Sequence, residues 1–256
     1  MLTIKSKFKL GLAKLSGMFV LATMLLNVNA AFADTIDLKE TGSAYGYSTG
    51  HITPSPYGAS TSAYVYVGGF QMTNLSPTST DFASVGGSFV AWCVDPLHWL
   101  SSSAFTYNIG GTSDMLSAGG FSTSRVNSLQ SLADNFYGSV NSTTSSAAFQ
   151  VATWSILYGT ESAGTYSFAS GTFTATGLDS SVSSLASSYL SGLSTVAPHK
   201  YAISYLYDNS YTGAGGTTTQ DLVTFTALPV PEPATGLMML AGIGLIGFKV
   251  KRRTAA

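Results

Sequence analysis

The chain has 256 residues, of which 9% are charged, 45% hydrophobic and 12% aromatic. So many aromatic residues can build a core, which excludes wholesale disorder, and the low charge points to an exported β-rich protein over a cytosolic enzyme. Charge is also segregated. Lys5, Lys7, Lys9 and Lys14 precede the first apolar run, and Lys249, Lys251, Arg252 and Arg253 follow the last. Between them only Lys39, Arg125 and Lys200 face all twelve acidic residues, a balance of about −9 that excludes nucleic acid as a partner.

The chain opens as a secretory signal peptide over residues 1–33. A lysine-rich start leads into the apolar run Met18 to Leu26, and Ala31-Phe32-Ala33 supplies the small-x-small cleavage pattern. Residues 34–60 are rich in Gly, Pro and Ser and predict irregular structure with one short strand near Tyr45. Residues 63–73 predict two short strands separated at Gly68-Gly69. Residues 87–95 predict a strand that ends at Pro96. Alternation puts Phe89, Ala91 and Cys93 on one face and Val90, Trp92 and Val94 on the other. Both faces are apolar, as in a central strand.

The period then becomes helical. A first helix is predicted over 122–137, capped by Ser124, with Val126, Leu129, Leu132, Ala133 and Phe136 on one face. A second runs from Ser145 or Ser146 to Tyr158 and stops at Gly159. A third runs from Asp179 to about Leu193, with Val182, Leu185, Ala186, Tyr189 and Leu193 inward. Strands return at 201–207 and, after a turn-rich stretch at 209–216, at 221–228. The order predicts an α+β domain over residues 34–228: a β-sandwich or barrel-like sheet with a helical insertion. An N-terminal signal helix and a single C-terminal apolar helix flank it.

The last segment, 229–256, has three parts: Pro231-Glu232-Pro233, an apolar run from Gly236 to Phe248, and the basic tail Lys249, Lys251, Arg252 and Arg253. The prolines put the helix start after Pro233. A transmembrane helix is expected at about 235–250, with its tail in the cytoplasm. This segment resembles the PEP-CTERM sorting signal of Gram-negative bacteria. The resemblance implies two processing partners, signal peptidase and the membrane peptidase exosortase. It also implies a membrane-anchored intermediate and delivery to the surface of a cell that exports polysaccharide. Gly242, Gly244 and Gly247 match the spacing of a dinucleotide fingerprint, but no βαβ unit surrounds them, so they read as small-residue helix packing.

Cys93 is the only cysteine, and an odd cysteine in an exported chain is either reactive or paired between molecules. Trp92-Cys93-Val94-Asp95, followed later by Phe149-Gln150-Val151-Ala152-Thr153-Trp154, resembles the two signatures of bacterial thioester domains of surface adhesins. Thr153 stands where that family usually has Ile. The resemblance implies a bond between the Cys93 thiol and the Gln150 acyl carbon, made without a cofactor. Trp92, Phe149 and Trp154 would shield it, and Asp95 would orient it or cap a turn at Pro96. It implies covalent attachment to target amines or hydroxyls, for adhesion or matrix association, and not an enzyme with turnover.

Other readings stand beside this one. A lone cysteine in an apolar strand is commonly an inert core residue. Cys93 with His98 or His199 would imitate a peptidase dyad, although His98 is close in sequence and His199 follows a proline. His51, His98 and His199 lack metal-ligand spacing. A non-covalent matrix component, with tyrosines stacking on exopolysaccharide, is the alternative from another class.

Overall fold

In the computed structural model six antiparallel strands close into a barrel in the order β1-β4-β5-β11-β10-β6. They are β1 (Thr35–Ser43), β4 (Phe70–Asn74), β5 (Ser88–Cys93), β6 (Phe105–Gly110), β10 (Tyr201–Tyr207) and β11 (Leu222–Ala227). A second sheet has the order β3-β2-β9, from β2 (Ser48–Thr53), β3 (Ala63–Val67) and β9 (Thr174–Thr176). Four helices lie between β6 and β10 in the chain: α1 (Thr112–Ser117), α2 (Thr123–Phe136), α3 (Thr143–Tyr158) and α4 (Ser180–Ser191). A two-stranded ribbon, β7 (Glu161–Ser162) with β8 (Thr165–Tyr166), follows α3.

The structure describes residues 35–76, 87–162, 164–194, 198–208 and 219–229. These all belong to the unit Ala33–Ala256. The signal peptide, Pro231-Glu232-Pro233, the apolar segment 235–250 and the basic tail lie outside the described residues.

The barrel and the helical insertion match the expected α+β class. Helix α3 is its central element. Every residue from Ser145 to Leu157 is buried, because α3 is covered by β5 of the barrel, by β2 and β3, and by α2 and α4. A helix enclosed on all sides carries no polar stripe, and only small or hydrogen-bonded polar residues interrupt its apolar surface.

Several expectations are corrected. The stretch 35–53 is not irregular: it forms β1 and β2, and Tyr45 lies between the two strands. In β1 the inward Ile36 and Leu38 alternate with Asp37 and Lys39, a period-2 pattern that the Gly- and Pro-rich surroundings obscured. Gly68-Gly69 separates two strands as expected, but the strands belong to different sheets. It carries the chain from β3 in the small sheet to β4 in the barrel. Gly68 has φ +152°, and a Cβ there would meet Gly46 O and Ser146 Oγ, each at 3.2 Å. The Gly69 N–H donates to Ser146 Oγ at 2.9 Å, fastening this crossing to α3.

The cap of α2 is Ser122, which accepts from the Arg125 N–H, while Ser124 Oγ donates to Glu161 instead. Helix α3 starts at Thr143, earlier than expected. Ser142 caps it through a box closed by the Ser145 hydroxyl, which satisfies the first-turn N–H groups before the apolar run begins. Strand β6 and helix α1 were missed.

Candidate functional site: a buried cysteine and glutamine

Strand β5 is central in the barrel, paired with β4 on one side and β11 on the other. Its ladder with β11 ends at Cys93 opposite Leu222. Val94 makes one more backbone bond, its N–H donating to Asp221 O at 2.9 Å. On the side facing α3, the Trp92 ring lies 4.8 Å from the Phe149 ring, centroid to centroid, in a tilted pair. That contact seats the middle of α3 against the end of β5, and the next helical residue is Gln150.

Gln150 bonds to Cys93 twice. Its Oε1 accepts from the Cys93 N–H at 3.0 Å, and its Nε2 donates to the Cys93 carbonyl at 2.7 Å. One carboxamide thus satisfies both backbone groups of a residue 57 positions away. Cys93 is fully buried and Gln150 is 1% exposed. The N–H bonded to Oε1 polarises the carboxamide carbonyl, as an oxyanion donor does.

The Cys93 thiol is held neutral. Burial is the main cause and the nearby Asp95 charge adds to it; both push its pKa up. The Trp154 indole N–H works against them. It is buried, lies close enough to the sulfur to favour the thiolate, and makes no well-formed hydrogen bond among the described residues. Asp95 Oδ1 accepts from the Leu97 N–H at 3.0 Å and its Oδ2 pairs with His98 Nδ1 at 2.5 Å, so Asp95 caps the turn at Pro96. Toward the sulfur its charge keeps the proton on. The His199 ring is held by Asp134 at 2.7 Å, which places it in a different contact. Among the described residues no group of three or more His, Cys, Asp or Glu could hold a metal ion.

Of the residues expected at this site, Trp92, Cys93, Phe149 and Gln150 come together in the core, and Trp154 stands beside the sulfur. Sequence reasoning missed what lies next to them. A cavity of about 140 Å³ reaches Gln150 and Trp154 and is walled by Tyr66, Phe70, Trp99 and Gln220 among others. The Tyr158 hydroxyl donates to Val94 O at 2.6 Å and fixes the backbone just after the cysteine. Gln220 and Trp99 sit in irregular segments outside any motif. Only the strand register brings them here.

Comparison with known proteins locates one feature. Residues 229–253 match the model of the PEP-CTERM protein-sorting motif. The motif makes this an exported protein sorted by exosortase, with a membrane-anchored intermediate before surface release. No curated protein and no solved structure matches the chain. No helix among the described residues is long and apolar enough to cross a membrane.

Proposed function

We propose that the exported domain carries an internal thioester between Cys93 Sγ and the Gln150 acyl carbon, and that this bond attaches the protein to amines or hydroxyls on an extracellular target. The observation that carries this reading is the double hydrogen bond between the Gln150 carboxamide and Cys93. It holds the acyl group against the residue that bears the protein's only thiol, in a site kept from bulk water.

The chemistry balances without a cofactor or an external base. The thiol adds to the carboxamide carbon, the C–N bond breaks, and the thiol proton leaves with the nitrogen as ammonia. Neutral groups become neutral products, which suits a buried site that disfavours charge. In the thioester the carbonyl oxygen keeps the Cys93 N–H as its donor. An incoming nucleophile then attacks the same carbon, and its proton passes to the sulfur, which departs as a thiol. Burial and the Asp95 charge disfavour a thiolate, so the sulfur takes the proton as it leaves. The domain is a single-use acyl donor. Lys39 and Lys200 are the only lysines between the signal peptide and the sorting motif, so few of its own amines compete with a target.

Intact mass of the mature protein tests this. The expected mass is short of the sequence mass by one ammonia, with no thiol titratable after denaturation. Methylamine then adds at Gln150 and releases one thiol. A full sequence mass with a free thiol in the freshly exported protein overturns the reading.

A further inference from the structure

We propose that the cavity beside Gln150 is a subsite for an uncharged sugar ring, so that the nucleophile it presents is a carbohydrate hydroxyl and the product is an ester. This names a target class for the thioester and rests on that reading for its covalent step.

Three observations point to a neutral sugar. First, none of the residues that wall the cavity is charged. A lysine ammonium entering there would be desolvated with no carboxylate in the cavity wall to meet it, which is costly. The net negative charge of the surrounding domain also disfavours an acidic polymer.

Second, the mouth is aromatic and open. Tyr66 is 67% exposed and Trp99 48% exposed, and Tyr57 packs edge-on against Trp99 with centroids 5.8 Å apart. Large aromatic rings left in water at the lip of a concave site need an explanation. A pyranose supplies one, with an apolar C–H face to lie on a ring and hydroxyls at its edge.

Third, the lining includes one buried polar side chain whose oxygen has no partner among the described residues. Gln220 is buried, lines the cavity, and its Oε1 accepts no hydrogen bond among the described residues. Buried polar atoms of this kind are rare because leaving them unmade is expensive. A buried acceptor without a donor fits a ligand that donates, as a hydroxyl does. At about 140 Å³ the cavity takes one edge of a pyranose, since ~150 Å³ holds only a benzene molecule, and the rest of the sugar lies against the exposed rings at the mouth.

In the covalent step the hydroxyl oxygen bonds to the Gln150 acyl carbon, the C–S bond breaks, and the hydroxyl proton moves to Cys93 Sγ. Gln220 Oε1 orients the hydroxyl until then.

The test uses mature protein with hexamers of glucose, mannose and galactose as probes, and a lysine-containing peptide and methylamine in parallel. The expected result is an adduct with at least one hexamer, cleaved by hydroxylamine as an ester is. Trp99→Ala should slow hexamer labelling by about tenfold more than methylamine labelling. Labelling by the peptide and by none of the hexamers overturns the proposal, and so does an equal effect of Trp99→Ala on both rates. Cys93→Ser separates the two readings, because saturation-transfer NMR reads hexamer binding to it without any covalent step. Hexamer binding without the ammonia deficit sinks the thioester and keeps the subsite. The deficit without hexamer binding or ester sinks the subsite and keeps the thioester.

Discussion

Helices α2 and α3 each reach a barrel strand through one buried polar side chain that bonds to backbone. On α2 it is Asp134. Its Oδ1 accepts from the N–H groups of Lys200 and Tyr201 at 2.8 and 3.2 Å and from Gln130 Nε2 at 3.1 Å; its Oδ2 accepts from His199 at 2.7 Å. An acceptor-only group meets only donors there, and the contact pins α2 to the start of β10. On α3 it is Gln150, which meets both the N–H and the C=O of Cys93. Only an amide can answer both, since a carboxylate would face the carbonyl with no proton to give. The two ties are alike as structure. They differ in what adjoins them: the Asp134 tie ends on the backbone of Lys200 and Tyr201, whereas the Gln150 tie ends on the backbone of the cysteine, beside a cavity. The tie alone therefore does not imply chemistry; it keeps a carboxamide still where chemistry is available.

Stability measurements can break that distinction. If Cys93 and Gln150 are covalently joined, the bond closes a loop between residues 57 apart. Chain entropy then makes it worth about 4 kcal/mol, on the loop-length relation used for disulfides. Methylamine opens the ring and leaves the cysteine side chain in place, so the treated protein should unfold at a clearly lower urea midpoint than the untreated one. Cys93→Ser should show a similar loss. Equal midpoints before and after methylamine would make Gln150 a tie of the Asp134 kind. Asp134→Ala should cost less, about 2 kcal/mol, because it strands two partly buried backbone N–H groups. It should leave the ammonia deficit of the mature protein intact. A deficit lost with Asp134 would mean that the two ties are coupled and that the contrast between them fails.

The parts legible in the sequence are those set by local pattern. The apolar periods of α2, α3 and α4 and the double-faced β5 depend on neighbouring residues, and their predicted spans fall within a few positions of the observed ones. The caps were less legible because Ser122, Ser124, Ser142, Ser145 and Ser146 are all chemically able to cap, and backbone geometry selects among them. The sheet change at Gly68-Gly69 was hidden. Two short strands around a glycine pair look like a hairpin, and only distant partners, β2 for β3 and β1 with β5 for β4, assign them to different sheets. The same holds at the site. Cys93 and Gln150 stand in recognisable local signatures, while Tyr66, Trp99 and Gln220 converge on the cavity through tertiary register alone.

Asp221 gives the finest test of how the two ties differ. Its backbone carbonyl holds the Val94 N–H beside the cysteine, and its carboxylate accepts from the Tyr205 hydroxyl at 2.5 Å and the Asp208 N–H at 2.9 Å. Asp134 gathers four donors, Asp221 two. Burial outweighs those two bonds and lifts the Asp221 pKa from 3.8 to about 6. The folded protein therefore holds this proton more tightly than the unfolded chain does. The stabilisation from that proton is complete below pH 4 and is lost as pH rises toward 6, amounting to about 2–3 kcal/mol at 1.36 kcal/mol per pH unit. Asn at this position mimics the protonated acid in shape and neutrality. Asp221→Asn should remove this fall between pH 4 and 6, so the variant gains on the original protein steadily across that interval. Urea midpoints at pH 4, 5, 6 and 7 read the difference. Parallel curves would mean that burial of Asp221 does not raise its proton affinity on folding, and that its two hydrogen bonds offset the loss of water around it.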